Sequence, residues 1–94
     1  MDYLKLFNEI IKIATPLNSN KAEATSLEQL LADTGLDSLD LLMVGIYLAE
    51  IYGVPEETAK NANVAKTVEE LISFMIFHKT KEPESVESAI ESIK

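Results

Sequence analysis

A chain of 94 residues with 47% apolar residues and a net charge of −8 suits one small domain with a modest core, and its acidity sets it against phosphate backbones and so against nucleic acid. All eight basic residues are lysine, there is no cysteine, and His78 is the one histidine, so disulfides, thiol nucleophiles, thiolate or histidine metal sites and a His-dependent triad lack their residues. No apolar stretch is long enough to span a bilayer, and MDYLKLFNEI has neither the basic region nor the apolar core of a signal peptide, so the cytoplasm is the expected compartment.

Leu4, Phe7, Ile10, Ile11 and Ala14 recur at helical spacing and predict a first helix over 3–14. Pro16 ends it, because Thr15 before the ring is pushed out of the helical region. The polar run TPLNSNKAEAT predicts a loop over 15–25. Ser26 precedes Leu27, Leu30 and Leu31 with Gln29 in the capping-box position, so a short helix or turn follows, broken at Asp33-Thr34-Gly35. A second helix should start at Asp37 or Ser38 and run to about Tyr52, with Gly53 as its left-handed stop. Pro55, Glu56 and Glu57 suit the first turn of a short third helix ending near Asn61. Thr67 and Glu70 form another capping box, and Val68, Leu71, Ile72, Met75 and Ile76 predict an amphipathic helix to about Lys79.

Pro83 marks a boundary. The tail EPESVESAIESIK is polar but carries Val86, Ile90 and Ile93 at helical spacing, so it either frays or docks as a short extra helix. With no alternating β-branched runs, the expected fold is all-α: a small four-helix bundle with a long first loop and a short third helix over 1–80, then a polar tail over 81–94.

The second helix is apolar nearly all round. Leu42, Ile46, Leu48 and Tyr52 are expected to face inward, with Leu39 at the rim. Met43, Tyr47 and Ile51 are then left as a second apolar stripe on the outside, for a partner or for the tail folding back. Gly45 stands mid-helix, where glycine costs about 1 kcal/mol against alanine. Close packing of a neighbouring helix explains it, and approach of a bound chain is the alternative.

Ser38 lies between two aspartates in DTGLDSLDLL. A serine nucleophile needs a base and an oxyanion hole; the one histidine is forty residues away, and G-L-D-S-L-D is not the G-x-S-x-G elbow. A calcium loop through Asp33, Asp37 and Asp40 lacks the alternating spacing and the closing glutamate of an EF-hand. A helix cap is the ordinary use of Asp37-Ser38. An attachment site is the other use, since a helix N-terminus favours a phosphate and a separate enzyme can activate the hydroxyl.

Gly35-Leu36-Asp37-Ser38-Leu39-Asp40 resembles the D-S-L motif of acyl carrier proteins. The run SLEQLLADTGLDSLDLLMVGIYLAEIYGV resembles that family's loop end and second helix, and Thr67 to Phe77 its fourth helix, so the likeness covers roughly residues 3 to 80. The resemblance implies an acyl-carrier type of bundle that has no catalytic activity. It implies that Ser38 carries 4′-phosphopantetheine taken from coenzyme A by a phosphopantetheinyl transferase, with acyl intermediates held as thioesters. Partners would be acyl-loading, acyl-transfer or condensing enzymes of a dedicated fatty-acid, lipid or polyketide pathway, served by a monomer. Asp37 would aid the transferase, and Leu39 and Asp40 would belong to the partner-facing surface. The bundle core, lined by Leu42, Ile46 and Leu71, would shelter an acyl chain. The family shows several acids along this helix; here only Asp40 and Glu50 follow the serine, so docking through Met43, Tyr47 and Ile51 would rest on apolar anchors. A peptidyl or aminoacyl carrier is the alternative within the same chemistry. A helical adaptor in which Ser38 is only a cap is the alternative from another class.

Overall fold

The computed structural model describes residues 2–15 and 22–93. Among them are five helices and no strand: α1 (Tyr3–Ala14), α2 (Ser38–Tyr52), α3 (Glu56–Ala59), α4 (Val68–Phe77) and α5 (Val86–Glu91), with 3-10 turns at Leu31–Asp33 and Lys60–Val64. α1 packs on α2 and α5, and α2 packs in turn on α3 and α4. One core joins them, with Leu6, Phe7 and Ile10 of α1, Val44 and Leu48 of α2 and Val68 and Met75 of α4 wholly enclosed.

The helix ends follow their local chemistry. The Asp2 carboxylate accepts from the Lys5 N–H at 3.0 Å to start α1, and the Thr15 N–H and hydroxyl both donate to the Ile11 carbonyl to end it. Gly53 stops α2 at φ +64°, a conformation that favours glycine, and a Cβ there would collide with the Thr80 hydroxyl. α4 opens with the Glu70 N–H donating to Thr67 Oγ1 at 3.1 Å. The expected reciprocal bond is displaced by one residue: Glu70 Oε2 accepts from the Lys66 N–H at 2.9 Å. α4 ends at Phe77, two residues before the expected Lys79.

Of the predicted loop over 15–25, residues 16–21 lie outside the described residues. Its end is tied to α1, where Asn8 accepts from the Ala24 N–H and donates to the Ala24 carbonyl. Of the short helix or turn expected from Ser26, the turn forms there, with the Gln29 N–H donating to the Ser26 carbonyl at 3.3 Å, and a 3-10 helix follows at Leu31–Asp33. The backbone ahead of it is committed to α4 instead: the Leu31 N–H donates to the Lys66 carbonyl, the Val68 N–H to that of Gln29 and the Glu69 N–H to that of Leu27. The Gln29 carboxamide accepts from Thr25, not Ser26.

The bundle has one helix more than the four expected: of the two courses open to the tail, it docks as a short extra helix, with Ser85 capping α5 and Val86, Ala89, Ile90 and Ile93 buried in the shared core. It lies against α1, with Lys5 and Glu87 3.8 Å apart, where its spaced Val and Ile side chains find an apolar partner face. The facing of α2 also differs. Val44, Leu48, Ile51 and Tyr52 point inward, while Leu42 and Ile46 point to solvent and Met43 and Tyr47 are half-buried on the flank. Periodicity does not choose a side on a helix that is apolar nearly all round, so the packing of α1, α3 and α4 chose it.

Candidate functional site

The site is the N-terminus of α2. The chain enters it through a braced turn. Thr34 is buried, its hydroxyl donating to the Leu31 carbonyl at 2.6 Å, and its own carbonyl accepts from the Glu23 N–H at 3.0 Å. Gly35 takes φ +88°, and Leu36 is sunk into the core. These anchors fix where Asp37 and Ser38 emerge.

Asp37 is the N-cap. Its carboxylate accepts from the Asp40 N–H at 2.8 Å, and the Asp40 carboxylate accepts in return from the Asp37 N–H at 3.4 Å. This is a capping box made of two aspartates. Ser38 is therefore the first helical residue and not the cap, which corrects the reading in which capping is its only task. It is exposed at the end of the helix where the dipole is positive.

The side chains expected beside it divide into two groups. Leu39, 67% exposed, follows Ser38 onto the surface, and Asp40 is half-buried in the capping box. Of the expected outer stripe, Ile51 is only 2% exposed and belongs to the core, so it offers no surface to a partner; Met43 and Tyr47 are half-covered. The outward apolar stripe is Leu39, Leu42 and Ile46 instead. Its sequence signal is Glu50, one turn beyond Ile46, an acid that stays in water and marks the solvent side of α2. Of the three residues named as a lining for an internal shelter, Leu71 is buried, whereas Leu42 and Ile46 are exposed.

Gly45 has open space where close packing was expected: among the described residues, a Cβ there would meet nothing within 4 Å. Gly45→Ala is therefore expected to raise stability by about 1 kcal/mol, through helix propensity alone. A higher denaturant midpoint at an unchanged m-value would show it.

The one imidazole is engaged elsewhere. His78 caps α4 and stands 4.6 Å from the Phe74 ring and 4.9 Å from the Phe77 ring, centroid to centroid. Among the described residues, no group of three His, Cys, Asp or Glu is placed to hold a metal ion, and no helix is long and apolar enough to cross a membrane. Comparison with known proteins returns no match for this chain, whether among protein-family models, curated proteins or solved structures.

Proposed function

We propose that the chain is an acyl carrier, a bundle of acyl-carrier type that does no chemistry of its own and holds a 4′-phosphopantetheine arm on Ser38. The observation that supports this most is the division of labour at α2: Asp37 and Asp40 complete the cap between themselves, and an exposed serine is left at the first helical position. A phosphodiester on Ser38 would sit at the positive end of the helix dipole. In the attachment step, a base on the transferase takes the Ser38 proton and Oγ attacks the phosphorus that bears the pantetheine group of coenzyme A. The bond from that phosphorus to adenosine 3′,5′-bisphosphate breaks, and the bisphosphate leaves.

The arm's thiol carries acyl groups as thioesters, and the tether raises their concentration at each partner's active site. Asp37, Leu39 and Asp40 are the residues of this chain that flank the arm and face the transferase and the loading or condensing enzymes. No lysine lies between residues 22 and 59, so the surface around the site would steer basic partners. The cargo class in this reading is acyl, for a fatty-acid, lipid or polyketide pathway. A helical adaptor is favoured by one specific observation, the exposed Leu39, Leu42 and Ile46 face, which could serve a partner without any arm.

Incubation with coenzyme A and a broad-specificity phosphopantetheinyl transferase separates the two. Trypsin releases 22–60 as one peptide, because it contains no internal lysine. The carrier reading expects this peptide to gain one phosphopantetheine, located to Ser38 by fragmentation. An unmodified peptide from a folded protein favours the adaptor.

A further inference from the structure

The face of α2 that starts at Ser38 is apolar and uncovered. Leu39, Leu42 and Ile46 are 67%, 59% and 48% exposed and follow Ser38 within little more than two turns. Helical rise sets Ile46 about 12 Å along the axis from Ser38. Gly45 lies beside Leu42 and Ile46, and the space over it is open. That space is kept at a cost in helix propensity, which close packing does not explain because, among the described residues, no neighbouring atom comes within 4 Å of where a Cβ would stand.

The side chains beneath are enclosed in the core. Val44 and Leu48 are fully buried, and Leu71 is 4% exposed. The tail does not cover this face either, because α5 lies on α1 and Ile90 and Ile93 are buried in the core. A second copy of the chain is a poor occupant. Each copy carries a charge of −8, and three side chains fall well short of the ~800 Å² per partner of a standard stable interface.

We propose that this face is the resting place of the alkyl part of the group carried on Ser38. The chain lies along Leu39, Leu42 and Ile46 and over Gly45, outside the bundle and not within it. This inference rests on reading Ser38 as the attachment residue. An apolar chain tethered at the head of the stripe meets it at high effective concentration, and each methylene removed from water adds to the attraction. With the arm folded back along the helix, the cargo class that fits is an unbranched alkyl thioester long enough to cover Leu39, Leu42 and Ile46 together; acetyl or strongly polar groups gain little. A chain held outside also passes to a partner enzyme without opening the core.

The test loads the full-length protein from decanoyl-coenzyme A with a broad-specificity phosphopantetheinyl transferase, confirms a single decanoyl arm by intact mass, and measures nuclear Overhauser contacts from the decanoyl methylenes. Contacts to the Leu42 and Ile46 methyls and to the Gly45 α-protons are expected. Their loss is expected in decanoyl-loaded Gly45→Leu, whose side chain takes the open space, and in acetyl-loaded wild type. Contacts to Val44, Leu48 or Leu71 instead, or no protein contacts at all, would overturn the proposal while leaving the attachment reading intact. Failure to gain mass would remove the attachment reading, and this proposal with it.

Discussion

Ile90→Asp is expected to lower stability by about 2–4 kcal/mol, since replacing a buried isoleucine costs in that range even when no charge is introduced. Ile90 is 8% exposed on α5, in a core shared with Leu6, Phe7 and Ile10 of α1. A carboxylate at that position stays hydrated only if α5 leaves α1. Release of the helix caps the loss, because the rest of the bundle keeps its own contacts. At 4–8 °C per kcal/mol for a domain of this size, the midpoint of thermal unfolding should fall by about 8–32 °C. Amide protection over 86–93 should collapse before that of α2 and α4. Glu91→Gln, on the solvent side of the same helix, should leave the midpoint unchanged. An unchanged midpoint for Ile90→Asp would mean that α5 contributes nothing to the core.

Tyr52 should make the protein sensitive to alkali. Tyr52 is 1% exposed, and its hydroxyl is buried without a hydrogen-bond partner among the described residues. Burial, reinforced by Tyr3 and the negative charge of Glu82, pushes the phenol up from 10.0 to about 12. The folded state thus holds this proton more tightly than the unfolded chain. Its contribution is complete below pH 10 and is lost as the pH rises through about 12. The loss amounts to about 2–3 kcal/mol across that window, since each pH unit between the unfolded and folded values is worth about 1.36 kcal/mol. Tyr52→Phe removes both the titration and the unpaired hydroxyl. Its stability should match or exceed wild type by about 1 kcal/mol at pH 7, and the gap should widen from pH 10 to pH 12. Denaturant melts at stepped pH values check this; parallel curves for the two proteins would contradict it.

Much of the frame was legible in the sequence because it depends on neighbours along the chain. The spacing of Leu4, Phe7, Ile10 and Ile11 defines α1, and the bounds of 3–14 match Tyr3–Ala14. Gly53 stops α2, and Thr67 starts α4, where short-range backbone chemistry requires it. Burial of Leu48 and Tyr52 was also expected.

What was not legible depends on contacts distant in sequence. Leu42 and Ile46 differ from Val44 and Ile51 only in which side of α2 they occupy, and all are aliphatic. Only the docking of α1, α3 and α4 separates them. The spacing of Val86, Ile90 and Ile93 left the tail frayed or docked as a helix, and the partner face that decides between the two lies on α1, some eighty residues away. At the candidate site, sequence placed Asp37 and Ser38 at the helix head but did not divide their roles. The answer lay in Asp40, whose carboxylate returns to the Asp37 N–H and completes the cap without the serine.

The carrier reading stands or falls on whether Ser38 accepts an arm. Intact mass is measured for wild type and Ser38→Ala after incubation with coenzyme A and a broad-specificity phosphopantetheinyl transferase, with circular dichroism to confirm that both are folded. The predicted result is one added phosphopantetheine on wild type and none on Ser38→Ala. A folded wild type that gains no mass with this transferase or a second one, or a Ser38→Ala protein that gains as much as wild type, would contradict the carrier reading.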